Sequence, residues 1–138
     1  MRERVVVDTG PVVAILAESD AHHDECVEQS KILRVPFLTT WPVLTEAAWL
    51  LRGVPDAIPK LFSLVENGLL ACADLNEADC QAISRLASKY RDLRPQLADL
   101  SLIRIADRES ISTIFTLDRR DFNVYRSEKG LAFRLIPQ

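Results

Sequence analysis

The apolar positions of this chain follow two alternating rhythms. Short β-rich runs, such as Val5-Val6-Val7 and Ile114-Phe115-Thr116-Leu117, are separated by longer stretches whose apolar residues recur three and four positions apart. The first rhythm marks buried strands and the second marks helices packed by one face. The pattern predicts a strand over 4–7, a helix over 11–18 opened by Pro11, and a helix over 22–33 with Asp20 as its cap and Val35-Pro36 at its end. A strand over 37–40 follows. Thr40 then caps a helix with Pro42 in its first turn, which runs to Arg52 before Gly53. Ile58, Leu61, Phe62 and Val65 form one helix face, ended by Asn67-Gly68, and a strand over 69–73 comes next. Asn76, with Asp79 three residues on, starts a helix striped by Cys80, Ile83, Ala87 and Tyr90. The stretch 97–109 is apolar on most sides, which predicts a central helix. Strands over 113–117 and 133–136 complete the pattern.

Strands alternating with helices predict an α/β fold with a parallel sheet of four or five strands and helices on both faces. In such sheets the functional crevice lies outside the carboxyl ends of the strands. Four acidic residues stand at the ends of separate apolar segments: Asp8 after the first strand, Glu46 one turn into the helix after the second, Asp99 at the start of the central helix, and Asp118 after the fourth strand. A helix over 99–110 spans about 16–18 Å at 1.5 Å per residue, and the returning strand over 113–117 spans roughly 17 Å at 3.3 Å per residue. The chain descends and returns by equal amounts, so Asp99 and Asp118 reach the edge that holds Asp8 and Glu46.

The 138 residues fit one domain over 1–138, and 48% apolar with 27% charged is a globular composition. No apolar run approaches the roughly 20 residues of a membrane span. The start, Met1-Arg2-Glu3-Arg4-Val5, enters a strand without a signal-peptide pattern. A net charge of -3 argues against a broad basic surface for nucleic acid but leaves room for a local basic rim. Cys26, Cys72 and Cys80 are odd in number, without a CxxC pair, and sit among apolar residues. Buried reduced thiols and a cytoplasmic location are expected. His22 and His23 are adjacent and cannot share a helix face, which argues against a two-histidine metal clamp.

Carboxylates gathered at one point repel one another, and burial makes each costly to keep charged, so the set calls for a cation. Oxygen ligands without His or Cys suit a hard ion, Mg2+ or Mn2+. Such an ion lowers the pKa of a bound water and offsets charge on a phosphate, while a free carboxylate takes the proton. This is the chemistry of a metal-dependent nuclease. Thr9 and Thr116 stand where hydroxyls can orient the acids. Arg119, Arg120 and Arg94 are candidates to track a phosphate backbone. Singly, each acid also fits a plainer role: a turn at Asp8-Thr9-Gly10-Pro11, a half-exposed Glu46, a cap at Asp99, a solvated turn at Asp118-Arg119-Arg120-Asp121. Their convergence on one edge favours a site. Trp41 and Trp49, eight apart on one helix side, are expected in the core or at an interface.

The chain resembles the PIN-domain family, in particular VapC-like ribonucleases. The resemblance lies in Val6-Val7-Asp8-Thr9-Gly10-Pro11-Val12-Val13-Ala14, in Thr39-Thr40-Trp41-Pro42-Val43-Leu44-Thr45-Glu46-Ala47, in Leu97-Ala98-Asp99-Leu100-Ser101-Leu102, and in Thr116-Leu117-Asp118-Arg119-Arg120-Asp121-Phe122. These motifs keep the family's order and rough spacing over the full length. The resemblance implies a three-layer α/β/α domain and a Mg2+ or Mn2+ site made by Asp8, Glu46, Asp99 and Asp118, with Asp121 as an accessory or an anchor of its turn. It implies an endoribonuclease acting on single-stranded or looped RNA, a toxin restrained by a cognate antitoxin, and a homodimer. Relatives often carry an extra acid shortly before the third one, where this chain has Arg94-Pro95-Gln96. Two other readings stand beside it: an RNA-processing nuclease without an antitoxin, and a non-catalytic module whose acids hold a structural cation or receive basic residues of a partner. An aspartyl-phosphate receiver is disfavoured, because the first strand ends in one acid rather than an adjacent pair.

Overall fold

The computed structural model describes residues 2–138. Five short strands, β1 (Val5–Val7), β2 (Phe37–Thr39), β3 (Leu70–Cys72), β4 (Thr113–Phe115) and β5 (Arg134–Ile136), form one sheet in the order β3-β2-β1-β4-β5. All pairings are parallel, with Val6 opposite both Leu38 and Ile114. The chain steps outward from β1 through β2 to β3, then crosses to the other side of β1 for β4 and β5. The reversal between β1 and β4 is a topological switch point, the place where open α/β sheets bind ligands.

Seven helices accompany the sheet: α1 (Thr9–Leu16), α2 (His23–Ile32), α3 (Trp41–Leu50), α4 (Ala57–Glu66), α5 (Glu77–Lys89), α6 (Leu97–Arg108) and α7 (Arg119–Phe122). Side chains alternate across a strand, so β1 feeds two cores. Val5 and Val7 join Val12, Phe37, Leu44 and Phe115 on one face, while Val6 joins Leu102, Ile103, Ile114 and Tyr125 on the other. No described helix is long and apolar enough to cross a membrane.

The predicted central helix is α6, which buries Ala98, Leu100, Leu102, Ile103, Ile105 and Ala106 and packs on β1, α3 and α5. Two polar links fasten its flanks. On one, Asp79 accepts from Asn76 N (2.8 Å), Arg104 Nε (2.8 Å) and Arg108 Nη1 (2.9 Å), while its own amide donates to Asn76 Oδ1 (3.2 Å). The Asn76 amide and the two guanidiniums outweigh burial and hold the Asp79 carboxyl below its usual range. On the other, Thr40 and Ser101 hydroxyls meet at 2.7 Å. Ser101 gives its proton to Ala98 O (2.7 Å), so Thr40 is the donor to Ser101 and accepts in turn from Val43 N (3.4 Å). The starts of α3 and α6 are thereby joined.

Several expectations are corrected. Helix α1 begins at Thr9, two residues before Pro11, because a first-turn proline gives up an N–H that has no helical partner. Asp20 accepts from His22 N (2.8 Å) in the turn before α2, whose N-cap is His22. The buried face of α5 runs through Asp79, Ala82 and Ile83, which leaves Cys80 exposed; the ion pairs of Asp79 turn that face inward. Cys26 is buried and Cys72 half-buried. Trp41 and Trp49, expected in the core or at an interface, are 56% and 64% exposed, which excludes only the core: Trp41 leans on Phe62, and Arg52 covers one face of Trp49. A 3-10 turn at Arg91–Leu93 and α7 are too short to leave a periodic signal.

Thr40→Val removes a cap acceptor and the donor to Ser101. It is expected to lower stability by about 1–2 kcal/mol, read as a drop of several degrees in Tm by scanning calorimetry. An unchanged Tm would show that the α3–α6 link contributes nothing.

Candidate active site

Asp8 follows β1 directly, and its amide still pairs with Phe115 O on β4 (2.9 Å). Its carboxylate therefore sits over the switch point, 7% exposed. Thr116, the residue after β4, donates its hydroxyl to Asp8 Oδ2 (2.9 Å) and accepts the amide of Asp118 (2.9 Å). One threonine thus ties the ends of the two strands together and hydrogen-bonds Asp8. Asp118 caps α7, with Oδ1 accepting from Asp121 N (3.2 Å). Asp99 lies in the first turn of α6 and is 9% exposed. Glu46 is half-buried in the middle of α3.

All four predicted acids line one cleft of about 430 Å³, together with Thr9, Asp121 and Arg94. The tightest group is Asp99, Asp118 and Asp121, which offer carboxylate oxygens within 4.8 Å of one another. Asp121, expected only as an accessory or anchor, stands in that trio. A helical offset of three residues carries it there from Asp118, a signal present in the sequence but shared by many solvated turns. Oxygen atoms this close suit a small hard cation.

The cluster has no positive charge of its own. The ion pairs of the described residues all lie elsewhere. Burial pushes the Asp8 carboxyl up to about 6, against the Thr9 amide and Thr116 hydroxyl that lower it and with Glu46 and Asp118 adding repulsion. Burial and the neighbouring carboxylates of Asp8, Asp118, Glu46 and Asp121 push Asp99 up to about 7. Burial also raises Glu46. Buried carboxylates with shifted pKa values and no counter-charge fit a divalent ion.

The other candidates divide. Thr9 contributes its backbone amide to Asp8, while its buried hydroxyl has no partner among the described residues. Arg119 is exposed, and its Nη1 is anchored to Pro137 O (2.9 Å) and Leu135 O (3.5 Å), which clasps the end of β5. Arg120 is exposed on α7. Sequence reasoning missed Tyr125. It is fully buried against Tyr90 (5.0 Å) and Phe122 (5.4 Å), and its hydroxyl has no partner among the described residues. Burial, then Asp99 and Asp121, raises its phenol pKa. No periodic pattern points to it.

The family described as PIN domain matches residues 5–127 of the chain. Ribonuclease VapC26 of Mycobacterium tuberculosis is 29% identical over 140 residues, covering 96% of this chain and all of that protein. Among solved structures, Mycobacterium tuberculosis VapC20, a Sarcin-Ricin loop cleaving toxin, superposes with a TM-score of 0.75 at 13% identity, over 84% of this chain and 91% of the other. A toxin-antitoxin complex from Klebsiella pneumoniae gives a TM-score of 0.67 at 11% identity, over 88% and 92%. At these identities the two structures speak for the fold: a parallel five-stranded sheet flanked by helices.

Asp8 and Asp99 retain protons in the folded state that they release, near 3.8, in the unfolded chain. Their contribution to stability is complete below that value and is lost as pH rises through about 6 and about 7. The Tm of metal-free protein is expected to fall between about pH 4 and about pH 7, as these two groups ionise in the folded state. Asp99→Asn, which cannot take up the charge, flattens that fall. Thermal unfolding in EDTA checks this; equal slopes for parent and variant contradict the burial and repulsion described.

Proposed function

The chain belongs to the PIN domain family, and from that premise we propose that it is a metal-dependent endoribonuclease, a VapC-like toxin that hydrolyses phosphodiester bonds in RNA. The observation that carries the proposal is the meeting of Asp8, Glu46, Asp99 and Asp118 in one cleft, with Asp121 beside them. The relative named as a ribonuclease matches across nearly the whole chain, and of the structural relatives one is named as a toxin and the other as a toxin-antitoxin complex, which supports this activity and role.

In this reading Asp99, Asp118 and Asp121, with Asp8 and Glu46 facing them, hold Mg2+ or Mn2+. A bound ion of this kind supplies a hard Lewis acid that lowers the pKa of water and offsets charge on phosphate oxygens. The residues of the chain do the rest. Thr116 and the Thr9 amide fix the Asp8 carboxylate, and the Thr40–Ser101 link fixes the helices that carry Glu46 and Asp99. Glu46 stands outside the tightest trio and has a carboxyl raised by burial.

The partners follow from the same reading. RNA is the substrate, and a cognate antitoxin restrains the enzyme. A second copy covers the exposed apolar strip of Trp41, Trp49 and Leu97 beside the cleft. Residues 1–138 act as one domain, and the free cysteines and RNA substrate suit the cytoplasm.

The test incubates the purified protein and its Asp8→Asn variant with a pool of structured RNAs in Mg2+, Mn2+ or EDTA. Fragments are expected from the parent only when metal is present. The variant, shown folded by circular dichroism, is expected to cut more slowly by about 100-fold or more. Equal cutting by both proteins, or cutting in EDTA, refutes the proposal.

A further inference from the structure

Among the described residues, Arg94 is the one basic residue that lines the acidic cleft. It stands between the 3-10 turn Arg91–Leu93 and α6, next to Pro95. Its backbone is left-handed, with φ 50 and ψ 56, and its amide donates to Arg91 O (3.0 Å). A residue with a Cβ rarely adopts that conformation, and one that precedes proline is biased toward extended backbone. Glycine would take it freely. An arginine is therefore held where the backbone favours glycine, at the wall of a cleft. Backbone strain of this kind gathers at functional sites.

The guanidinium is also uncommitted. Arg52, Arg104, Arg108, Arg119 and Arg126 are tied to named carbonyls or carboxylates. Arg94 enters none of the ion pairs of the described residues, although it shares its cleft with five acids. No positive charge is spent on the cluster, and the causes that shift Asp8 and Asp99 include no basic group. The carboxylates are left for a cation and the guanidinium for an anion. The polyanion entering this cleft needs such a contact, since the acids otherwise repel it. A planar guanidinium binds two phosphate oxygens at once.

We propose that Arg94 is the phosphate clamp of the cleft, binding the backbone phosphate of single-stranded RNA next to the bond that is cut. The inference rests on the ribonuclease reading above. It separates two roles within one cleft: acids for the metal, and one strained arginine for the strand.

The test uses the full chain and a labelled single-stranded RNA that the parent cuts. Arg94→Gly is expected to keep or raise Tm, because it relieves the left-handed backbone, while KM for the RNA rises about tenfold or more and Mn2+ affinity stays the same. Arg94→Gln, which keeps the side-chain length, should show the same loss of RNA affinity at an unchanged Tm. In the Asp8→Asn background, anisotropy of the bound RNA should show a salt dependence shallower by about 0.7 in log–log slope, the value of one released counterion on a single strand. Arg94→Lys should keep that slope and lose part of the affinity. If the parent cuts RNA in a metal-dependent way and both Arg94→Gly and Arg94→Gln match its KM and salt slope, the clamp is refuted while the ribonuclease reading stands. If the parent makes no metal-dependent cut, the ribonuclease reading falls and the clamp with it. A Tm lowered by several degrees in Arg94→Gly makes the residue structural and overturns the inference.

Discussion

Asp8 and Asp99 are carboxylates placed where water solvates them poorly, and the groups that shift them are Glu46, Asp118 and Asp121, with no lysine or arginine ion-paired to them among the described residues. Two hydrogen bonds from Thr9 and Thr116 favour the charged form of Asp8, yet its carboxyl stands at about 6; burial and like charge win over them. That imbalance is the constraint around which the molecule is arranged. Elsewhere in the same chain a buried acid is treated in the opposite way. Asp79 receives two arginines and an amide, and its carboxyl is held low. The chain thus has the means to neutralise a buried acid and withholds them at the switch point. Acids left unneutralised this close together suit a cation.

The scaffold explains how such a cluster is tolerated. Each acid comes from a different element whose position is fixed by something else. Asp8 is set by β1, whose three valines are wholly buried between the two cores. Asp118 is set by Thr116 at the end of β4, and Glu46 and Asp99 by helices joined through Thr40 and Ser101. Because apolar burial and buried hydrogen bonds hold these elements, repulsion among the carboxylates changes their protonation rather than their places. The same geometry gives the cleft its two kinds of charge: carboxylates carried by the end of β1, α3, α6 and the turn after β4, and Arg94 on the loop that leads into α6.

Much of this was legible in the sequence. Val5-Val6-Val7 read as a strand buried on both faces, and equal path lengths along α6 and β4 returned Asp118 to the level of Asp99. Both inferences depend only on periodicity and rise per residue, which tertiary packing does not alter. The misses share a different cause. Cys80 was placed by hydrophobicity, yet the ion pairs of Asp79 rotate α5. Arg119 was legible as a charge near the site, but its hold on Pro137 O depends on where β5 ends. Tyr125 and the left-handed backbone of Arg94 arise from irregular segments, where sequence carries no period.

Calorimetric titration of Mn2+ into the metal-free protein, repeated in buffers of different ionisation enthalpy, tests the central claim most directly. Asp8 and Asp99, with carboxyls near 6 and 7, carry protons in metal-free protein at mildly acidic pH. Binding must therefore release protons near pH 6 and release almost none near pH 8.5, and Asp99→Asn must bind more weakly with less release. Binding without proton release at either pH, or no binding at all, would contradict the account.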